Sequence, residues 1–172
     1  LSKRELSKIF FMILKYIREK SFLDILIIIV IFFIDRISKL IVISYDENSF
    51  SNDMFSSKFL NIYLIWNEGI VFGLFSFNDK FNYNILTFII CVITTIVLYF
   101  VFKTKGIEKY SFLMIFSGSL GNIFDRLFYS AVPDFIDIHY QNFHWFIFNV
   151  ADIFITLGVI ILIFNEIFLK KN

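Results

Sequence analysis

Apolar residues gather into four runs long enough to cross a bilayer, which takes about 17–25 helical residues. They cover residues 25–43, 85–102, 110–128 and 149–169. The second is the cleanest, with no charge and only scattered hydroxyls such as Thr87, Thr94 and Thr95. Asp35, Arg36 and Lys39 interrupt the first. Its apolar stretch is too long for a cleaved leader and no small-x-small site follows, so it reads as a retained span. Ahead of it, residues 1–21 mix Ile9, Phe10, Met12, Ile13, Tyr16 and Ile17 with Lys8, Lys15 and Arg18. That pattern suits an amphipathic helix lying on an anionic leaflet.

Between the first two spans the period changes. A polar stretch around Asp46–Asp53 precedes Leu60, Ile62, Leu64 and Trp66, which alternate with Asn61, Tyr63 and Ile65. Period two is a strand signal. Asn67-Glu68-Gly69 supplies a turn and Ile70-Val71-Phe72 a second extended run, predicting a small β-hairpin at the membrane surface. The residues before the fourth span, Asp134 among them, read as a short polar loop. No repeat or low-complexity linker divides the chain. The expected fold is therefore an all-α membrane protein of one domain, 1–172. It has four transmembrane helices, a small extracytoplasmic β-hairpin or sheet, and the N-terminal amphipathic helix.

Composition agrees: 58% of the 172 residues are hydrophobic and the mean hydropathy is +0.76. The 26 phenylalanines accompany abundant Ile, Asn and Lys, as in AT-rich coding, and carry no functional weight. Cys91 is the only cysteine, which excludes a disulfide framework and a thiolate metal cluster. Charge is informative through its distribution. Eleven of the sixteen Lys and Arg residues lie in 3–20, 103–109 and 170–171, whereas Lys58 and Lys80 stand alone on the other side. The positive-inside rule then puts both termini in the cytoplasm and Asp134 near the outer face.

The ionisable residues near or inside the hydrocarbon are Asp35, Arg36, Lys39, Asp125, Arg126 and Asp152, with Asp134 close by. Such groups are costly in lipid unless paired or facing a polar cavity. Asp35 and Lys39 are four residues apart and can pair on one helical face. Asp125 and Arg126 read as a buried ion pair. Ser117-Gly118-Ser119-Leu120-Gly121 offers small residues for close helix approach. Asn149 and Asp152 fit a capping box as well as they fit chemistry. Asp134 follows Pro133, the only proline, whose ring stiffens the backbone that aims the carboxyl. His139 and His144 lack the spacing of a zinc protease, and Ser119 and the adjacent Ser38-Lys39 lack a well-placed base. Nucleic-acid binding has no basic, aromatic-interleaved patch to support it. On these residues alone, a small transport or channel subunit using Asp35, Asp125 and Asp152 competes with an enzyme.

Five motifs occur in order: Asp35-Arg36-Ile37-Ser38-Lys39, Asn67-Glu68-Gly69-Ile70-Val71-Phe72-Gly73, Gly121-Asn122-Ile123-Phe124-Asp125-Arg126, Val132-Pro133-Asp134-Phe135 and Phe148-Asn149-Val150-Ala151-Asp152. Together they resemble bacterial lipoprotein signal peptidase (signal peptidase II), an aspartic peptidase of the cytoplasmic membrane. The resemblance implies that Asp134 and Asp152 are a catalytic dyad. It implies that Asp35, Lys39, Asn67, Gly69, Asn122, Asp125, Arg126, Asn149 and Ala151 bind substrate or brace the site. It further implies diacylglyceryl-modified prolipoproteins as substrates, cleaved before the lipidated Cys, with membrane lipids as surroundings, no metal or other cofactor, and a monomer. Arg36 (usually Gln), Ile70-Val71 (usually smaller) and Pro133 (usually aliphatic) depart from the family pattern.

Overall fold

The computed structural model describes residues 3–49, 53–69 and 80–169. The order of elements is α1 (Lys3–Asn48), β1 (Asp53–Ser56), β2 (Leu60–Asn67), α2 (Lys80–Lys103), α3 (Gly106–Tyr129), β3 (Val132–Tyr140), β4 (Phe143–Phe148) and α4 (Val150–Phe164). A π-helical turn, Asn165–Leu169, extends α4. The chain is mostly helical with one small antiparallel sheet, as expected.

The helices match the apolar runs, with one correction. The N-terminal segment and the first span form a single 46-residue helix, α1, rather than two elements. Neither Gly nor Pro occurs before residue 49, so nothing in the sequence breaks the helix there. Tyr83–Lys103 and Val150–Leu169 are long and apolar enough to cross a membrane, with mean hydropathies of 2.8 and 2.2.

The distribution of burial is inverted relative to a water-soluble domain. Phe88, Phe102, Leu127 and Phe128 face outward, while Asp35, Lys39, Ser111, Ser117, Asp125 and Asn149 are fully buried. A polar interior within an apolar exterior is what a lipid solvent selects. Helix α3 packs closely on α4 because small residues face each other. A Cβ on Gly118 would lie 2.5 Å from the Ala151 carbonyl oxygen, and one on Gly158 would lie 2.7 Å from that of Ser111.

The sheet is larger than the expected hairpin. Its four antiparallel strands lie in the order β1-β2-β3-β4. Strand β2 falls where the alternation put it, but it pairs with β1 and β3, and residues 70–73 lie outside the described residues. The segment 132–148, read as a loop, forms a hairpin instead. Strand β3 hides from pattern reading because each of its faces mixes acids with apolar residues. Asp134 alternates with Ile136 on one side, and Phe135 with Asp137 and His139 on the other. Asp134 therefore stands in a paired strand, opposite Ile65, with its backbone held by the ladder as well as by Pro133.

Candidate active site

The site forms where the start of β3, the end of β2 and the start of α4 meet residues 35–39 of α1 and residues 122–126 of α3. Asn149 organises it. As the N-cap of α4, its side-chain oxygen accepts from the Asp152 N–H at 3.1 Å, and its own N–H donates to Asp152 Oδ2 at 3.1 Å. This is the capping box that the spacing allowed. The same Asn149 amide donates to Asp134 Oδ1 at 2.6 Å. One asparagine thus ties both carboxyls to a single helix end.

The remaining carboxyl oxygens are also held by amides. Asn67 donates to Asp134 Oδ2 at 2.8 Å, and Asn122 donates to Asp152 Oδ1 at 2.8 Å. Asn67 in turn accepts from the Gly69 N–H at 3.0 Å, which fixes its amide orientation. Capping occupies only one oxygen of Asp152, so the structural and chemical readings of that residue are compatible.

Behind the carboxyls lies a charged network. Lys39, fully buried, donates to Asp35 at 2.8 Å, Asp125 at 2.6 Å and Asn122 at 3.0 Å. Its three protons are all engaged, and Asn122 links it to Asp152. Asp35 also accepts from the Ala151 N–H at 2.9 Å, one of the donors left free at the start of α4. Gly121 lets that acid approach, since a Cβ there would sit 2.5 Å from Asp35 Oδ2. The second oxygen of Asp125 pairs with Arg36, whose guanidinium also lies over the rings of Phe124 and Tyr129.

All eleven expected site residues are thus brought together, with one partner corrected. Asp125 pairs with Arg36 and Lys39, not with Arg126. Neighbouring residues on a helix point about 100° apart, and Arg126 turns away to donate to the Gly69 carbonyl at 3.0 Å. It stacks over Tyr83, whose hydroxyl donates to the Arg126 carbonyl at 3.3 Å. Tyr83 and the pairing role of Arg36 escaped the sequence reading. The signal for Arg36 was available: a cation beside Lys39 in an apolar run needs a buried acid, and Asp125 was at hand.

Asp134 and Asp152 open onto a cavity of about 500 Å³. Asn67, Gly69, Asn122 and Arg126 line its polar end, and Leu86, Ile89, Ile90 and Ile93 of α2 form an apolar wall. Burial, reinforced by the nearby charge of Asp152, pushes the Asp134 carboxyl up to about 6, against the opposing pull of the Asn67 and Asn149 amides. A carboxyl pair held by amide donors at the edge of such a cavity can share a proton and activate a water.

Comparison with known proteins places the chain in a family. The family described as signal peptidase (SPase) II matches residues 27–168. A lipoprotein signal peptidase of Pelagibacter ubique (strain HTCC1062) is 47% identical over 90% of this chain and 93% of its own. One from Anaplasma phagocytophilum (strain HZ) is 38% identical over 87% and 94%. Among solved structures, a bacterial membrane enzyme determined by the in meso method at 1.9 Å superposes with a TM-score of 0.70, at 28% identity, covering 87% of this chain and 94% of that one.

Proposed function

Because the chain belongs to the signal peptidase II family, we propose that it is an aspartic endopeptidase whose dyad is Asp134 and Asp152. It removes signal peptides from diacylglyceryl-modified prolipoproteins, cutting before the lipidated Cys. The observation that carries the mechanism is Asn149, which bonds both carboxyls at the mouth of a cavity with one polar and one apolar side.

Like charges this close do not both ionise easily, so the pair holds one proton and titrates as a unit. The ionised carboxylate takes a proton from water as its oxygen attacks the scissile carbonyl. The protonated partner hydrogen-bonds the carbonyl oxygen as charge develops and then delivers a proton to the leaving amine. A carboxylate supplies the base, so the step calls on no metal.

The substrate fits the walls. The acyl chains stay against the apolar residues of α2 while the peptide reaches Asn67 and Arg126 at the polar end. Helices α1 to α4 serve as four spans of a single peptidase domain, 1–172, which works as a monomer. Both termini face the cytoplasm, and the dyad lies near the outer face of the cytoplasmic membrane. The transport alternative loses its footing, because Asp35, Asp125 and Asp152 are held in one network with Lys39 and Asn122 rather than spread through the membrane depth.

Cleavage of a synthetic diacylglyceryl prolipoprotein peptide by the purified, detergent-solubilised chain tests this reading. Asp134→Asn and Asp152→Asn are each expected to lower turnover by at least about a hundredfold, the scale of lost acid–base catalysis. Both variants should still insert in the membrane. Undiminished cleavage by either one removes it from the dyad.

A further inference from the structure

The two histidines, set aside because their spacing fits no metalloprotease motif, are brought together by the β3–β4 hairpin. His139 and His144 are directly opposed in the strand register, and their rings stack at 5.0 Å with 19° between planes. Asp137, two residues before His139 on the same face of β3, is fully buried. His144 Nδ1 lies 2.9 Å from Asp137 Oδ2, and His139 Nδ1 lies 3.7 Å from the same oxygen. Asn61 donates to that oxygen at 3.3 Å.

We propose that Asp137, His139 and His144 form a binding site for one divalent transition-metal ion of the zinc class, distinct from the aspartate pair. An Asp137–His144 ion pair alone accounts for only half of the geometry. The His139 side chain is 10% exposed, and its Nδ1 is buried without a hydrogen-bond partner. An unpartnered buried nitrogen is expensive, and aiming it at a buried carboxylate and a second imidazole is what a metal ligand requires. The one candidate donor atom from each residue falls within 4.8 Å of the others. A tetrahedral ion with bonds of about 2.0–2.1 Å places its ligands roughly 3.3 Å apart, so small side-chain adjustments close the site. Two imidazoles and one carboxylate suit zinc and its neighbours rather than magnesium or calcium, which prefer oxygen. A fourth position remains for water.

The effect of the ion follows from its place. It clasps β3 to β4 near the hairpin turn, where Gln141 has φ 53°. Away from the turn, the same two strands carry Asp134 and Asn149 side by side, through β3 and β4 respectively. Metal binding therefore stiffens the hairpin that carries the site, without contacting the substrate.

Zinc titration of the tag-free, detergent-solubilised protein by calorimetry tests the proposal. One equivalent should bind at micromolar or tighter affinity. His144→Gln, at a half-exposed side chain, should weaken binding at least tenfold. Asp134→Asn and Asp152→Asn should leave it unchanged. As a readout needing no variant, cobalt loaded into the wild-type protein should show the intense absorption of a four-coordinate site. Absence of saturable binding, undiminished binding in a folded His144→Gln protein, loss in the dyad variants, or a six-coordinate cobalt spectrum would each overturn the assignment.

Discussion

Asp134 sits 4% exposed in a paired strand, and its environment sets a definite pH dependence. Its carboxyl rises from the ordinary value of 3.8 to about 6, first through burial and then through the charge of Asp152. In linkage terms the folded chain binds more protons here than the unfolded chain between those two values. Asp134 therefore costs no stability below pH 3.8, and its ionisation works against folding as pH rises towards about 6. For catalysis the same shift marks the loss of the pair's shared proton. We expect kcat/KM for a lipidated peptide to decline about tenfold per pH unit above a limb near 6, because the free enzyme's titration governs that parameter. A pH–rate series in one detergent checks it, and a profile still rising through pH 8 would refute the shared-proton state. The residue scale also shows how far single positions were legible. Asp134 and Asp152 stood out as costly carboxylates near one membrane face. The partner of Asp125 did not, because adjacency in sequence suggested Arg126 whereas helical geometry delivers Arg36 and Lys39.

At the scale of elements, the helices were easily read because membrane-crossing helices need long apolar runs, and these survive even where Asp35 or Asp125 interrupts them. The sheet was half legible. Strand β2 alternates cleanly, but β3 carries Asp134 on one face and Asp137 on the other, so no apolar face announces it. Acids on both faces erased the signal of the strand that holds them. The small-residue run in α3 was readable as a packing surface, and Gly118 is its closest approach to α4. A β-branched side chain there meets the Ala151 carbonyl and the Ile155 side chain, with the first Cβ contact already at 2.5 Å. Gly118→Val should therefore push α3 from the start of α4, lowering the unfolding temperature in detergent and cleavage activity together. Overpacking of this kind costs roughly 1–3 kcal/mol. Gly106→Ala, where a Cβ meets nothing within 4 Å, is the comparison. It carries only the local cost of a positive φ and should leave activity unchanged. Equal activities in the two variants would show that the α3–α4 contact does not position the dyad.

The whole molecule is organised by the bilayer. Helix α2 is 24 residues long, about 36 Å at 1.5 Å per residue, enough to cross a hydrocarbon core of roughly 30 Å. Its far end meets α3 through Thr104 and Lys105, in the loop whose basic residues the positive-inside rule assigns to the cytoplasm. The β3–β4 turn is joined to Asp134 by β3 itself. These two loops should therefore be exposed on opposite sides of the membrane. Cys91 is the only cysteine, so its replacement by Ser provides a clean background. Gln141→Cys and Lys105→Cys, both at exposed positions, can then be probed separately in intact cells with a membrane-impermeant thiol reagent. Labelling is expected at position 141 directly and at position 105 only after the membrane is opened. The reverse pattern would turn the dyad towards the cytoplasm. There it could not meet precursors whose cleavable segment has been delivered to the outer face, and the proposed route of the substrate to Asp134 and Asp152 would fail with it.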